Sequence, residues 1–352
     1  MEVSHRNKGA PDVSFVNAQD EEYEHALPAS AFPEKCVTRT WKQLILDLDW
    51  WLIIYLILWY AQSALYVTFN KMFLNKVALP WSLSAFQLLI GWGFMLFFWG
   101  CNVRDKPHFD NLGKFCKIFL PMGALHYLVH VGSVVSMGLG AVSFTHVVKA
   151  LEPIITAVLS TIVLHQFSNI YVYLSMIPVV VGVSLASLKE LDFNIWAFGF
   201  AMLSNISGAF RSIFAKMMMT NKEELGENLT PNNIYLILTL IASLVSLFFV
   251  LTIEATHCIP IWRKATAHMT SGEISWLLFY GFASGFFYFL SNDSAFYCLG
   301  KINQVTYSVA NTAKRVLIIG TSIIVFKNRV SALGYIGMVL AIFGTFLYSI
   351  VK

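Results

Sequence analysis

The chain has 352 residues, of which 57% are hydrophobic and 12% are charged, and its formal net charge at pH 7 is +4. Soluble proteins contain roughly 25% charged residues, so this composition excludes an ordinary soluble domain and predicts a polytopic membrane protein. The net charge is too small and too scattered to indicate a nucleic-acid partner. The 5 cysteines are odd in number and lack the spacing of metal ligands, so we expect no disulfide framework, no metal site and no cofactor.

The N-terminal segment differs from the rest of the chain. Residues 1–45 are polar and of mixed charge, and they include an acidic stretch from Asp20 to Glu24. The segment has no apolar core of a signal peptide, and its acidic residues are atypical of a transit peptide. We interpret it as a disordered cytosolic tail and expect any targeting information to be internal.

The remaining sequence consists of apolar segments with about the 20 residues that a bilayer requires of a spanning helix. We predict an all-α fold with ten transmembrane helices, at residues 50–71, 81–100, 115–138, 142–164, 169–188, 194–218, 232–253, 273–298, 303–326 and 331–350. The even number places both termini on one side of the membrane. More Lys and Arg residues lie on that side, which predicts that it is the cytosol.

The two halves of the membrane region are weakly similar to each other. A shift of 162 positions overlays identical residues, among them Ser160 with Ser322, Tyr173 with Tyr335 and Gly182 with Gly344. We therefore predict two five-helix repeats, at residues 46–190 and 191–352. Because five is odd, the second repeat must be inverted. Secondary transporters have this architecture, and their binding sites lie near the membrane midplane between the repeats.

Four cations lie inside predicted helices: Lys149, Arg211, Lys314 and Arg315. A charged side chain at the centre of a bilayer costs about 2.5–3.5 kcal/mol on insertion scales, so each one requires a reason. Glu152 lies three residues after Lys149 and can pair with it along the helix, and Asp293 is a more distant candidate partner. The excess of positive charge predicts an anion in a water-filled cavity. Ion pairs that only fix helix packing are the structural alternative.

The ninth predicted helix places two cations on a polar face. Lys314 and Arg315 share this face with Tyr307 and Asn311, by spacings of three and four. The guanidinium of Arg315 suits two oxygens of one phosphate, and the ammonium of Lys314 is a compact point charge. Phosphate and carboxylate both fit this chemistry.

A second polar face lies on the third predicted helix. His126, His130 and Ser133 follow one another at spacings of four and three. Histidines on apolar faces are more often packing residues than ligands, but the hydroxyl at membrane depth favours a substrate role for His130. The sequence contains no P-loop and no nucleophile–base set, so we predict a protein that is not an enzyme.

Two segments resemble a known family. They are Ser-Phe-Thr-His-Val-Val-Lys-Ala-Leu-Glu-Pro at residues 143–153 and Lys-Arg-Val at 314–316, followed by Ser-Ile-Ile-Val-Phe at 322–326. They are similar to the plastid phosphate translocators of the drug/metabolite transporter superfamily, which include the triose-phosphate/phosphate translocators. The resemblance covers about residues 50–352 and looks closest to the versions from apicomplexan-type plastids. It implies ten helices and strict exchange of inorganic phosphate for phosphorylated three-, five- or six-carbon compounds.

The resemblance also implies which residues contact the substrate. The family's phosphate-binding residues fall on Lys149, Lys314 and Arg315, its helix-three contacts on His130 and Ser133, and a further arginine contact on Arg211. The family commonly has a tyrosine in the eighth helix, at the position that Ser291 occupies here. Tyr288 lies one turn away, so either residue could supply the missing hydroxyl.

The expected function is therefore exchange of phosphate for triose phosphates, 3-phosphoglycerate and phosphoenolpyruvate across a plastid membrane of the apicoplast type. The expected partners are these metabolites and the lipid bilayer, with the monomer as the functional unit. A nucleotide-sugar transporter of the Golgi or endoplasmic reticulum is the alternative within the same fold. A membrane scaffold that transports nothing is the alternative from another class.

Overall fold

A computed structural model describes residues 50–109, 111–164, 169–188, 194–220, 226–302, 304–327 and 330–351. Within these ranges the regular structure is helical, and an isolated antiparallel bridge joins His108 to Glu227. The described residues all belong to one compact unit. The predicted tail at residues 1–45 lies outside the described residues.

The helices follow one another with short connections. They are α1 (Trp50–Leu74), α2 (Pro80–Met95), α3 (Leu112–Leu139), α4 (Val142–Val148), α5 (Glu152–Leu164), α6 (Ile170–Leu188), α7 (Ile195–Thr220), α8 (Pro231–Phe249), α9 (Ala255–Thr266), α10 (Ser271–Leu299), α11 (Gln304–Phe326) and α12 (Ala332–Val351). A π-helical turn, Leu96–Gly100, extends α2, and a second one, Val250–Glu254, joins α8 to α9.

In the part of the chain that the structure describes, six helical segments are long and apolar enough to cross a bilayer. They are Trp50–Leu74, Pro80–Gly100, Leu112–Leu139, Val142–Val163, Pro231–Thr266 and Ser271–Leu299. Two shorter apolar helices cover Ile170–Ala186 and Ala332–Tyr348. The prediction of an all-α, polytopic membrane protein is confirmed, and the number of ten spans remains a prediction.

The fourth predicted helix is interrupted at Lys149. Pro153 has no N–H to donate to the Lys149 carbonyl, so the chain forms a 3-10 turn at Lys149–Leu151, where the N–H of Glu152 bonds to that carbonyl. The carbonyl of Val148 accepts instead from the buried Asn205 Nδ2, at 2.9 Å. The proline thus places Lys149 at a break between α4 and α5, which a neighbouring helix stabilises.

The helices pack as antiparallel pairs, most extensively α6 with α12, α1 with α10 and α3 with α7. In the α6–α12 pair, Gly182 lies against Ala341 and Gly344 lies against Val179. The two contacts are equivalent under the repeat, because a shift of 162 positions relates position 179 to 341 and position 182 to 344. The missing Cβ atoms let the two backbones approach closely, as small residues do in membrane helix pairs.

One acidic residue lies away from the predicted cations. Asp293 of α10 accepts two bonds from Arg104, at 2.8 and 2.7 Å, and one from Asn232 Nδ2, at 2.9 Å. Arg104 belongs to the α2–α3 connection, and its guanidinium also lies 3.8 Å from the centre of the Phe98 ring. The expectation that Asp293 is a partner for a cation inside the helices was therefore wrong. This clamp instead ties α10 to the α2–α3 connection and to the start of α8.

Candidate functional site

The candidate site is built on the crossing of α3 and α7. At Gly132 the helices are so close that an added Cβ would lie 2.7 Å from the carbonyl oxygen of Phe200. The two helices run antiparallel from this point, so residues closer to the N-terminus of α3 face residues closer to the C-terminus of α7. Ser133 pairs with Ser204, and His126 pairs with Arg211. The predicted polar face of α3 and a polar face of α7 therefore meet, and we call this line of contacts the seam.

Lys149 lies at one end of this seam. Its Nζ donates to Ser133 Oγ at 3.0 Å and to Ser204 Oγ at 2.6 Å. Both hydroxyls donate in turn to the carbonyl of Val129, at 2.8 Å each. Each hydroxyl has one proton and two lone pairs, so donating to Val129 leaves its lone pairs for the ammonium. Two neutral hydroxyls thus hold the Lys149 ammonium, and the expected pairing of Lys149 with Glu152 was wrong.

Glu152 pairs with Arg315 instead. The Arg315 Nη2 atom lies 2.9 Å from Glu152 Oε2, and the Arg315 residue is 8% exposed. Gly208 of α7 makes room for this carboxylate, because an added Cβ there would lie 2.7 Å from Glu152 Oε1. Arg315 Nη1 is buried and has no hydrogen-bond partner among the described residues. One side of the guanidinium is therefore occupied and the other has an unused donor.

Arg211 lies at the other end of the seam, beside His126. Its Nη1 atom is 2.7 Å from His126 Nδ1. A guanidinium can only donate, so the imidazole nitrogen must be the acceptor. Arg211 is half-buried, and His126 is 2% exposed. The cation therefore has a neutral partner here, not a carboxylate.

Lys314 points toward α1. Its Nζ lies 4.6 Å from the centre of the Trp59 ring, and this ring also stacks on that of Tyr307, with centroids 5.2 Å apart. A lysine over an aromatic face gains a cation–π attraction of about 0.5–2 kcal/mol. Adjacent residues on a helix are about 100° apart around the axis, so Lys314 and Arg315 face different neighbours.

The four cations have more positive charge than their partners neutralise. Among the described residues, only Arg315 has a carboxylate partner, while hydroxyls, an imidazole and an aromatic ring face the other three. Neutral partners cannot cancel a charge at membrane depth, where an unpaired ion costs several kcal/mol. The site is therefore positively charged and suits an anion.

An aromatic group lies next to this charge. The His130 ring is 4.0 Å from the Tyr288 ring, and Tyr66 of α1 lies 5.2 Å from Tyr288, centroid to centroid. His130 is 3% exposed, and its Nε2 atom has no hydrogen-bond partner among the described residues. Ser291 donates to the Tyr288 carbonyl at 3.0 Å and is buried. Of the two candidates for the family tyrosine, Tyr288 thus lies against the histidine and Ser291 is bonded to its own helix.

Several residues of this site were not predicted from the sequence as contributors. Ser204 and Gly208 lie seven and three residues before the predicted contact Arg211 on α7, so this helical face could have been recognised. His126 was placed on the correct face of α3 without a role. Trp59 and Tyr66 lie on α1 among many other apolar and aromatic residues, and no local pattern distinguishes them.

The comparisons with known proteins decide the family. The profile of the Triose-phosphate Transporter family matches residues 51–349. The chain belongs to this family. The resemblance found in the two sequence motifs is thereby confirmed.

Similar proteins of this family occur in plants. The triose phosphate/phosphate translocator of Pisum sativum is 37% identical over 296 residues, which are 84% of this chain and 70% of that protein. The xylulose 5-phosphate/phosphate translocator of Arabidopsis thaliana is 35% identical over 292 residues, covering 83% and 68%. The glucose-6-phosphate/phosphate translocator 1 of the same plant is 34% identical over 300 residues, covering 85% and 74%. All three are described as chloroplastic.

These relatives carry different sugar phosphates, so family membership does not distinguish three-carbon from larger substrates. The Triose-phosphate Transporter family and these relatives are transporters. The prediction that the chain is not an enzyme is therefore confirmed.

Proposed function

We propose that this transporter exchanges inorganic phosphate for phosphorylated three-carbon compounds, namely triose phosphates, 3-phosphoglycerate and phosphoenolpyruvate. The observation that carries the proposal is the excess of positive charge among the helices, since only Arg315 of the four cations has a carboxylate partner among the described residues. A phosphate dianion would neutralise most of this excess. The relatives named above, each of which is named as a sugar phosphate/phosphate translocator, support the same substrate class.

The proposed phosphate site consists of Lys149, Lys314 and Arg315. The unused Nη1 donor of Arg315 supports this assignment, as does an Nζ on Lys314 that bonds to no acceptor among the described residues. A guanidinium with a free donor edge and an ammonium with free protons suit the tetrahedral oxygens of phosphate. His130, Ser133, Arg211 and either Tyr288 or Ser291 complete the proposed substrate contacts.

The proposed transport mechanism is alternating access between two inverted five-helix repeats, residues 46–190 and 191–352, in a ten-helix membrane domain. Two observations support it. The contact of Gly182 with Ala341 and that of Gly344 with Val179 exchange under the same shift that relates the two halves. The second observation is the helix pairing, because in both α3–α7 and α10–α1 the third helix of one predicted repeat packs against the first helix of the other. In such transporters one repeat rocks against the other around a site near the midplane.

The proposed location is a plastid membrane of the apicoplast type, with both termini in the cytosol and the monomer as the working unit. The chloroplast location of the relatives supports the plastid assignment. The excess of Lys and Arg on the side of the termini supports the orientation. Protease protection of terminal tags in intact organelles tests the orientation, and a protected N-terminal tag would contradict it.

The deciding experiment uses purified transporter in liposomes that contain unlabelled phosphate, phosphorylated three-carbon compounds, glucose 6-phosphate or a nucleotide sugar. Uptake of labelled external phosphate is then measured for each internal compound. We expect rapid uptake into liposomes with phosphate or three-carbon compounds. Uptake driven only by nucleotide sugar would favour the nucleotide-sugar alternative. No uptake with any internal compound would favour the scaffold.

A further inference from the structure

The Arg211 end of the seam contains a histidine that the phosphate site does not use. His126 is 2% exposed, and its Nδ1 lies 2.7 Å from Arg211 Nη1. The guanidinium is always protonated and has no acceptor, so Nδ1 must carry a lone pair. The neutral imidazole therefore has its single proton on Nε2. The contact with Arg211 fixes one tautomer.

This proton is directed away from Arg211 and is unused. His126 Nε2 is buried without a hydrogen-bond partner among the described residues. The ring of Tyr235 stands nearly perpendicular to the imidazole, at 80° and 5.8 Å between centroids, which restricts rotation of the histidine. Leaving a buried donor unpaired costs about 1–3 kcal/mol, so the position favours an oxygen from outside the protein.

The seam has two ends that one small ion cannot contact together. Lys149 lies at the level of Ser133, and Arg211 lies at the level of His126, seven residues earlier on α3. With a rise of 1.5 Å per residue, the two levels are about 10 Å apart. The pair of Arg315 and Glu152 lies between them, at Gly208. Inorganic phosphate is a single tetrahedral group, whereas a three-carbon phosphate carries further oxygens several bonds away.

We propose that His126 is a specificity-determining residue, whose Nε2–H donates to the carbonyl or carboxylate oxygen at the end of the substrate remote from the phosphate. The inference rests on the proposed exchange of phosphate for phosphorylated carbon compounds. Arg211, whose position the same imidazole fixes, supplies the positive charge beside that oxygen. His126 thus distinguishes organic phosphates from free phosphate, since free phosphate has no atom at this level.

Three variants separate the two functions of the imidazole. In His126→Asn the amide can occupy the place of Nδ1 and accept from Arg211, but no donor remains at the Nε2 position. In His126→Gln the longer side chain can put an amide N–H near the Nε2 position. His126→Leu removes both functions.

The test measures phosphate/phosphate exchange and phosphate/3-phosphoglycerate exchange for each variant in liposomes. We expect His126→Asn and His126→Leu to raise the KM for 3-phosphoglycerate roughly tenfold, as for a lost hydrogen bond to a charged group, with little change in the KM for phosphate. His126→Gln should recover part of the loss. Propyl phosphate, which has three carbons but no remote oxygen, should be transported equally by wild type and His126→Asn.

The possible failures are distinguishable. Unchanged 3-phosphoglycerate kinetics in His126→Asn would overturn the donor role, and an equal loss of both exchange reactions would reduce His126 to a structural residue. If His126→Asn does not accumulate, His126→Leu, which also lacks the Nε2 donor, is compared with wild type on 3-phosphoglycerate and propyl phosphate. A wild-type protein that exchanges no phosphate at all would refute the proposed function itself.

Discussion

Arg315 donates to Glu152 through Nη2 at 2.9 Å, while its Nη1 atom is buried without a partner among the described residues. The carboxylate therefore holds one side of the guanidinium and orients the other. Because the Arg315 residue is only 8% exposed, this orientation restricts which group can reach the free donor. The arrangement explains why a lysine at this position would be a poor substitute, although it carries the same charge.

Arg315→Lys should reduce phosphate binding. A lysine cannot both contact Glu152 and present a second planar donor, so one charge-assisted bond is lost, at a cost of about 1.5–3 kcal/mol. We expect the KM for phosphate to rise at least tenfold in liposome exchange, with normal amounts of protein in the membrane. Unchanged phosphate affinity would remove Arg315 from the site.

Ser204→Ala should weaken phosphate binding by a smaller factor. The variant removes the shorter of the two hydroxyl contacts to Lys149, the one at 2.6 Å, and leaves Ser133 in place. We expect the KM for phosphate to rise roughly fivefold, less than for the full loss of a bond to a charged group, because Ser133 still accepts from the ammonium. Ser212→Ala is the matched control, since Ser212 lies on the same helix and among the described residues bonds only to the carbonyl of Gly208. Equal effects of the two variants would contradict a specific role for Ser204.

The hydroxyl of Tyr288, more than that of Ser291, should contribute to substrate affinity. The Ser291 hydroxyl already donates within its own helix, whereas the Tyr288 ring lies 4.0 Å from that of His130. Tyr288→Phe should therefore raise the KM for three-carbon phosphates several-fold, while Ser291→Ala changes it little. Measured values in the opposite order would assign the role to Ser291.

The clamp between Arg104 and Asp293 should control access from its side of the membrane. Breaking it with Arg104→Ala frees α10, and we expect faster thiol labelling of Cys298, which is 0% exposed and lies on α10. The measurement uses a protein in which the other cysteines are replaced. Lys106→Ala, in the same connection, is the control.

Exchanging the two charges tests the same clamp. Arg104→Asp combined with Asp293→Arg should restore slow labelling of Cys298, because the ion pair can form again in reverse. Labelling that is equally slow in wild type and Arg104→Ala would show that the clamp does not restrict opening.

Net efflux without a counter-substrate should be slower than exchange by orders of magnitude. An empty carrier must enclose cations that lack carboxylate partners, at a cost of several kcal/mol per ion, whereas bound phosphate neutralises them. The measurement is efflux from phosphate-loaded liposomes with and without external triose phosphate, and rapid efflux into substrate-free buffer would contradict the mechanism. Lys149→Gln should speed net efflux without a counter-substrate and slow exchange, because it removes part of the positive charge that the empty carrier must enclose.

The sequence alone was sufficient for the class of protein and for most of the candidate residues. Apolar length and composition predict membrane helices, since the bilayer imposes these on any spanning segment. The cost of burying charge also makes Lys149, Arg211, Lys314 and Arg315 conspicuous before any contact is known. The prediction of two repeats also comes from the sequence, through identities such as Gly182 with Gly344.

The pairing of these residues was decided only by the tertiary structure. Spacing along one helix suggested that Glu152 neutralises Lys149, but α11 brings Arg315 to that carboxylate and α7 brings Ser204 to the lysine. The same holds for His126, whose partner Arg211 is 85 residues away in the chain. Sequence periodicity reports which face of a helix is polar, whereas the partner of each polar group depends on which helices cross and at what depth.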